Sequence, residues 1–191
     1  MGGGDKGLRL IAGRPMIERV VERLKPQVRT LVLNANGDPS RFAALGLPVV
    51  ADPIEGFAGP LAGVLAGLSW ARLNAPGTVF VVSAATDTPF FPRDLVARFL
   101  DAADGNERRI ALARSADGLH PVFGLWPIAL AGDLEAALKS GTRKVLDWTG
   151  RHATVEVEFQ GAEVPGVDPF FNVNTPEEIE LANKLCSGNS P

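Results

Sequence analysis

Short apolar runs alternate along this chain with stretches in which apolar residues recur at helical spacing. The run 78–83 is continuously apolar, which is typical of a strand buried on both faces of its sheet. The run 154–159 alternates between apolar and polar positions and predicts a half-exposed or edge strand. Four shorter or weaker runs complete the set of predicted strands, at 30–34, 48–51, 110–113 and 122–125.

Helical periodicity occurs in five segments, each with an apolar face. The last one has the clearest start, with Thr175 as the predicted N-cap, Pro176 as the first helical residue and acidic side chains in the first turn. Strands alternating with helices predict an α/β fold with a largely parallel sheet flanked by helices. We expect one domain over residues 1–185, followed by a polar tail over 186–191. The predicted helices cover 16–24, 61–73, 93–103, 128–139 and 177–185.

Composition narrows the class of function. The 191 residues carry a net charge of −3 without a block of like charge, which argues against a nucleic-acid-binding surface. The single cysteine, Cys186, excludes a disulfide framework and a thiolate metal cage, and two separated histidines argue against a histidine metal site. No apolar run is long enough to cross a membrane, and the first residues contain no signal-peptide core. We therefore expect a cytoplasmic protein.

Ligands of parallel α/β sheets bind at the carboxyl ends of the strands, where several polar side chains of this chain are predicted to lie. Asp87 follows the run 78–83, and one carboxylate can hold Mg²⁺ there together with substrate phosphates. Lys6 lies in a glycine-rich start whose N–H groups suit an anion, although a frayed terminus has the same composition. Asn34 and Asp52 follow two further strands, and they either contact a base or ribose or shape turns.

Two more groups have both a functional and a purely structural interpretation. Arg143 and Lys144 are adjacent cations that suit a phosphate, but such a pair is more typical of a solvated surface. Asn172 and Asn174 come just before the last predicted helix and either bind a ligand or shape the turn.

The order and spacing of these motifs resemble the molybdenum cofactor guanylyltransferase family. In chain order the motifs are GGGDKGL, NAN, the strand-end Asp52, GPLAG, DTPFFP, HPVFGLWP, RKV and FFNVNTPEE, and they run from about residue 2 to about residue 182. The resemblance implies a Rossmann-like nucleotidyltransferase that joins GMP from GTP to molybdopterin and releases pyrophosphate, with Mg²⁺ as its cofactor. It also implies transient contacts with cofactor-biosynthesis proteins and molybdoenzymes.

The resemblance further implies roles for individual side chains. Lys6 matches a residue that binds the nucleotide phosphates, and Asp87 matches the position that holds Mg²⁺ beside GTP. Asn34 and Asp52 match nucleotide-contacting positions. Four further residues match regions that lie near the molybdopterin substrate in the family: Arg143, Lys144, Asn172 and Asn174.

The start of the chain departs from the family pattern. Family members begin with a strand that ends in Leu-Ala-Gly-Gly, and we expect this strand to be missing upstream of residue 1, where it would be central in the sheet. Base choice depends on that segment and on Asn34 and Asp52, so a related enzyme using CTP or another acceptor is one alternative. A non-catalytic molybdopterin-binding protein is another.

Overall fold

The computed structural model describes residues 6–54, 59–160 and 166–187, so the predicted Gly2–Gly4 part of the phosphate motif lies outside the described residues. None of the described helices combines the length and apolarity that crossing a bilayer requires. The helices are α1 (Met16–Leu24), α2 (Pro60–Asn74), α3 (Leu95–Ala103), α4 (Ala131–Lys139), α5 (Val145–Thr149) and α6 (Pro176–Cys186). The strands are β1 (Leu10–Ile11), β2 (Arg14–Pro15), β3 (Leu33–Asn34), β4 (Val49–Val50), β5 (Phe80–Ser83), β6 (Ile110–Ser115), β7 (Gly118–Pro127) and β8 (Thr154–Glu158).

Four strands form the largest sheet among the described residues, in the order β5-β7-β6-β8. β6 and β8 are parallel, whereas β7 is antiparallel to both β5 and β6. A parallel pair, β3 and β4, and a hairpin of β1 and β2 are separate from it. The α/β class is confirmed, but the sheet is mixed rather than largely parallel. The reason is local, because a tight turn between Ser115 and Gly118 joins β6 to β7, and such a turn joins only antiparallel strands.

The core consists of two apolar layers on opposite faces of the four-stranded sheet. Alternate residues of β6 show the division, since Ala111 belongs to one layer while Ile110 and Leu112 belong to the other. The first layer packs against α1 and α3 and is rich in phenylalanine. The second packs against α2 and α4 and contains Trp126 and Trp148, whose rings lie 6.1 Å apart. Helices therefore cover both faces of the sheet, as predicted.

β5 is less buried than the run 78–83 predicts. All four of its residues are half-buried, because within the described chain β5 pairs only with β7. Its other edge faces an apolar groove of about 290 Å³ that β3 also lines. At the opposite end of the sheet, β8 alternates as predicted, with Val157 buried and its neighbours more exposed.

The last helix begins where the sequence predicts. Thr175 is the N-cap of α6, and its hydroxyl accepts a hydrogen bond from the N–H of Glu178. The helix ends at Cys186, one residue into the predicted polar tail. The part of that tail from residue 188 lies outside the described residues.

Candidate active site

The turn after β5 brings Asp87 to the segment that precedes α6. The backbone carbonyl of Asp87 accepts a hydrogen bond of 2.8 Å from the N–H of Val173. The fully buried hydroxyl of Thr88 donates to the side-chain oxygen of Asn172. Residues 84 positions apart in sequence are thereby fixed side by side.

The beginning of the described chain packs onto the same turn. A Cβ atom on Gly7 would lie 3.2 Å from the Cβ of Thr86, so a glycine allows the Lys6–Leu8 turn to approach this closely. The ammonium of Lys6 donates to the side-chain oxygen of Asn174 at 2.8 Å, and the guanidinium of Arg9 donates to the carbonyl of Asn174 at 2.7 Å. We call Lys6, Arg9, Asp87, Asn172 and Asn174 the Asp87 cluster.

Arg9 is the member of this cluster that sequence reasoning missed. It belongs to none of the recognised motifs, and its only sequence signal is a cation placed three positions after Lys6. The structure puts it beside the same asparagine. The cluster thus contains two cations and one carboxylate, a charge balance suited to a polyphosphate.

Glu178 fixes the backbone of the cluster from the first turn of α6. One of its carboxylate oxygens accepts hydrogen bonds from the N–H groups of both Asn174 and Thr175, each 2.7 Å long. The bond from Thr175, then that from Asn174, lowers the pKa of the Glu178 carboxyl, because both stabilise its ionised form. Lys6 adds a smaller electrostatic contribution in the same direction.

A second polar cluster lies at the carboxyl ends of β3 and β4. The side-chain amide of Asn34 donates to one carboxylate oxygen of Asp52 at 3.0 Å, and that of Asn36 donates to the other at 2.7 Å. Asn36 also accepts from the N–H of Asp52 at 2.9 Å. The predicted pair Asn34 and Asp52 is therefore brought together. Asn36, which the NAN motif contains but the predicted site omitted, belongs with them, and we call the three residues the Asn34 cluster.

The groove between β3 and β5 is bordered by one residue of the Asn34 cluster and by the turn that leads to Asp87. Asn34 lines it from one side and Thr86, next to Asp87, from the other. Helix α2 passes close to Asn34, since a Cβ atom on Gly63 would lie only 2.5 Å from the Asn34 side-chain oxygen.

The remaining predicted cations are located at the end of α4 and the start of α5. Arg143 donates to the carbonyl of Leu138 at 2.9 Å and to that of Thr142 at 2.8 Å, so it satisfies carbonyl groups at the carboxyl end of α4. Lys144 is exposed and immediately precedes α5. These contacts give Arg143 a structural role that the sequence left open.

Asp87 is the protein group best placed to bind a divalent cation in this site. Among the described residues no three histidine, cysteine or acidic side chains gather into a metal cage. Mg²⁺ is commonly held by one or two carboxylates together with substrate phosphates and water, so the single partly exposed carboxylate of Asp87 fits that mode of binding.

Comparison with known proteins identifies the family of this chain. Residues 1–155 match the MobA-like NTP transferase domain. This chain belongs to the MobA-like NTP transferase family. A molybdenum cofactor guanylyltransferase of Rhodopseudomonas palustris (strain BisB5) is 51% identical over 187 residues, which cover 97% of this MobA-like chain and 88% of that relative. The predicted family resemblance is confirmed, and this MobA-like chain is a nucleotidyltransferase.

Solved structures share the fold of this MobA-like chain. The molybdopterin-guanine dinucleotide biosynthesis protein A of Archaeoglobus fulgidus has a TM-score of 0.73 at 23% identity, covering 97% of this chain and 92% of its own. The 2-C-methyl-D-erythritol 4-phosphate cytidylyltransferase of Thermus thermophilus has a TM-score of 0.65 at 18% identity, covering 95% and 94% respectively. At these identities the likeness establishes the nucleotidyltransferase fold alone.

Proposed function

We propose that this protein transfers GMP from GTP to molybdopterin, with Mg²⁺ as its cofactor. An oxygen of the molybdopterin phosphate forms a bond to the α-phosphorus of GTP. The bond between that phosphorus and the oxygen leading to the β-phosphate breaks, and pyrophosphate leaves with its electron pair. The acceptor phosphate is already ionised, so the protein contributes positioning and charge neutralisation rather than proton removal.

The observation that carries this proposal is the convergence of the Asp87 cluster. Lys6 and Asn174 are 168 positions apart in sequence, yet their side chains are hydrogen-bonded, and the backbone of Asp87 bonds directly to Val173. A fold that brings a carboxylate, two cations and two amides to one strand end has assembled the groups that a phosphate transfer needs.

Within this cluster the cations and the carboxylate have different tasks. Lys6 and Arg9 neutralise the triphosphate, because ammonium and guanidinium groups donate charge-assisted hydrogen bonds to phosphate oxygens. Asp87 holds Mg²⁺ together with the nucleotide phosphates. When bound, the cation withdraws charge from the phosphate oxygens and from the leaving pyrophosphate.

The asparagines on either side of the phosphates select the two substrates. The Asn34 cluster offers amide and carboxylate groups to the nucleoside of GTP. Asn172 and Asn174 face the acceptor, and we place Arg143 and Lys144 on the same pterin side. Release of the product to molybdoenzymes requires transient protein contacts, which belong to this proposal as well.

The test is an assay of pyrophosphate release and dinucleotide formation with molybdopterin and either GTP or CTP. We expect turnover with GTP and Mg²⁺, and its loss with chelator. Asp87→Asn should lower kcat by about 100-fold or more, since it removes the metal carboxylate while keeping the size of the side chain. Asp101→Asn, a matched change on the exposed surface of α3, should leave kcat unchanged.

Each contrary result has a defined meaning. Equal activity of Asp87→Asn and the unmodified chain would refute the metal assignment. Turnover with CTP in preference to GTP would make the protein a cytidylyltransferase. Molybdopterin binding without turnover of either nucleotide would make it a binding protein.

A further inference from the structure

Arg23 is a buried cation of α1 that the proposed function does not use. It is the one buried charged side chain in the described part of the chain, with 9% of its surface exposed. Its neighbours on the helix, Val20 and Leu24, belong to the phenylalanine-rich core layer. A guanidinium in such surroundings costs free energy unless its donors are satisfied, so its hydrogen-bond partners indicate its role.

Two of those partners lie in residues 86–92, which we call the Asp87 turn. The Nε of Arg23 donates to the carbonyl of Pro89 and its Nη1 donates to the carbonyl of Phe91, each at 2.9 Å. Both acceptor residues are buried. Pro89 and Pro92 have no N–H, so the turn does not extend β5 as a regular strand, and its buried carbonyls need donors from another element. Arg23 supplies two of these donors.

Gln27 extends the contact from α1 to the start of α3. It lies four residues after Arg23, in a short 3-10 helix that continues α1, so the two side chains lie on one face. Its side-chain oxygen accepts from the N–H of Val96 at 2.9 Å, and its amide nitrogen donates to the carbonyl of Pro92 at 3.4 Å. The same nitrogen donates to the Arg23 carbonyl at 2.9 Å. We call Arg23 and Gln27 together the α1 clamp.

The carboxylate of Asp87 depends on this backbone for its position. Its only hydrogen bond to another described residue is a long one, 3.5 Å from the Thr88 hydroxyl. On the far side of the turn, the Asp87 carbonyl accepts from the N–H of Val173. The turn is therefore held between the α1 clamp and the segment that precedes α6, and any shift of the turn moves the carboxylate with it.

We propose that Arg23, assisted by Gln27, is a positioning residue that fixes the Asp87 turn where its carboxylate can hold Mg²⁺. The metal part of this inference rests on the proposed function, whereas the fixing of the turn does not. Arginine is suited to this task because its planar fork donates in fixed directions to two carbonyls, whereas lysine carries one compact ammonium. Without the fork, two buried carbonyls lose these donors, and the turn shifts to find others.

Amide hydrogen exchange measured by NMR tests the clamp independently of catalysis. The reporter is the N–H of Val173, because it donates to the Asp87 carbonyl across the turn. In Arg23→Lys we expect exchange at Val173 to become about tenfold faster. The N–H of Ile179, which donates to Thr175 within α6, is the internal reference and should change much less.

Arg109→Lys is the matched control variant. Arg109 is half-buried, and its Nη1 also donates to a backbone carbonyl, that of Ala102 in α3, at 3.2 Å. The control therefore makes the same chemical change at an arginine that bonds to backbone outside the Asp87 turn. We expect exchange at Val173 in this variant to stay within about twofold of the unmodified protein.

The dependence of the rate on Mg²⁺ tests the functional part of the inference. Arg23→Lys should raise the Mg²⁺ concentration that gives half-maximal rate by about fivefold or more and lower kcat, because Asp87 is displaced. KM for GTP at saturating Mg²⁺ should stay within about twofold, since the Asn34 cluster is on other elements. A smaller fraction of folded protein would lower kcat alone and leave the Mg²⁺ dependence unchanged.

Each outcome decides between the clamp and its absence. Unchanged exchange at Val173 in Arg23→Lys, or an equal change in Arg109→Lys, would overturn the clamp. Faster exchange with an unchanged Mg²⁺ dependence would overturn the positioning role. If Arg23→Lys does not fold, Gln27→Met replaces it, since methionine keeps the length of the side chain and leaves the guanidinium in place. About threefold faster exchange at Val173 then supports the clamp, and unchanged exchange overturns it.

Failure of the proposed function gives a different result. An unmodified protein that turns over neither GTP nor CTP would refute the nucleotide transfer, and with it the metal part of the inference. Exchange at Val173 would still decide whether the α1 clamp fixes the turn.

Discussion

Asn34 is held in one orientation by its neighbours on β4 and α2. Its amide nitrogen donates to the Val50 carbonyl and to Asp52, both at 3.0 Å, so its side-chain oxygen is directed elsewhere. That oxygen lies against α2, where Gly63 has no side chain to displace it. Glycine at position 63 therefore leaves the space that the Asn34 oxygen occupies in the proposed nucleoside site.

Gly63→Ala should weaken GTP binding without weakening the fold. Alanine is favoured over glycine in a helix by up to about 1 kcal/mol, but its Cβ would displace the Asn34 oxygen. We expect Kd for GTP to rise by about tenfold, equivalent to the loss of one hydrogen bond, together with a shifted Asn34 side-chain resonance. Gly67→Ala is the matched control, since it faces Val81 instead. Equal weakening in both variants would contradict the role of Asn34.

Individual residues of the candidate site were predictable from sequence when their position after a predicted strand was enough to suggest a role. Asp87 and Asp52 follow apolar runs, so the rule that ligands bind at strand ends made them candidates for the site. Arg9 and Asn36 were not located, because their roles depend on partners 165 and 16 positions away, which the local pattern does not reveal. The hydrogen bond from Arg143 to the Leu138 carbonyl at the end of α4 likewise depends on the folded structure, so it was not predicted.

At the scale of elements, α6 holds one part of the site through its capping box. Thr175 and Glu178 satisfy each other's backbone N–H groups, and Glu178 additionally accepts from Asn174. The capping box that begins α6 therefore also fixes Asn174, whose side chain accepts a hydrogen bond from Lys6.

Glu178→Gln should impair acceptor binding more than Glu177→Gln does. An amide oxygen accepts the two backbone hydrogen bonds more weakly than a carboxylate, so Asn174 becomes less fixed. We expect KM for molybdopterin to rise by about threefold or more, with a lower Tm. Glu177→Gln alters the same exposed helical turn outside the capping box and should change neither value. Identical kinetics for the two variants would show that the box serves the helix alone.

Long periodic elements were predictable and short ones were not. α1 has the predicted bounds because nine residues suffice to display an apolar face. α5 is only five residues long, with Leu146 half exposed, so no periodicity identifies it. The β1–β2 hairpin has two residues in each strand and turns through Ala12 and Gly13 at positive φ, a signal that the sequence Ala-Gly barely carries.

For the whole molecule, His120 links β7 to the segment that leads into the site. Its ring stacks on Phe170 at 4.5 Å, and its Nε2 lies 2.6 Å from the Ser115 hydroxyl and 3.8 Å from a carboxylate oxygen of Asp168. Burial lowers the pKa of the imidazole below its ordinary value of 6.5, and Arg114 acts in the same direction. Asp168 and Asp117 oppose this shift without outweighing it.

Stability should consequently fall as the medium becomes mildly acidic. The unfolded chain protonates its histidine near pH 6.5 while the folded chain resists, so His120 favours folding above that pH and opposes it below. Urea unfolding at about pH 7.5 and about pH 5.5 should show lower stability at the acidic value, and His120→Gln should reduce the difference. Glu178 and Asp133, whose pKa values are lowered, stay ionised throughout this range.

The same experiment can refute the assignment to His120. The effect is assigned to the partly buried ring of His120 beside Phe170. A loss of equal size in the unmodified chain and in His120→Gln would refute that assignment.

The 168 positions that separate Lys6 from Asn174 have a consequence for synthesis of the chain on the ribosome. Chains emerge from their amino terminus, so Lys6 and Asp87 leave the ribosome well before Asn172 and Asn174. The residues of α6 pack with Ile11 and Met16 in a small separate cluster, outside the two main core layers. A nascent or prematurely terminated chain can thus form most of its core while the Asp87 cluster is still incomplete, so under the proposed function only a fully translated chain turns over substrate.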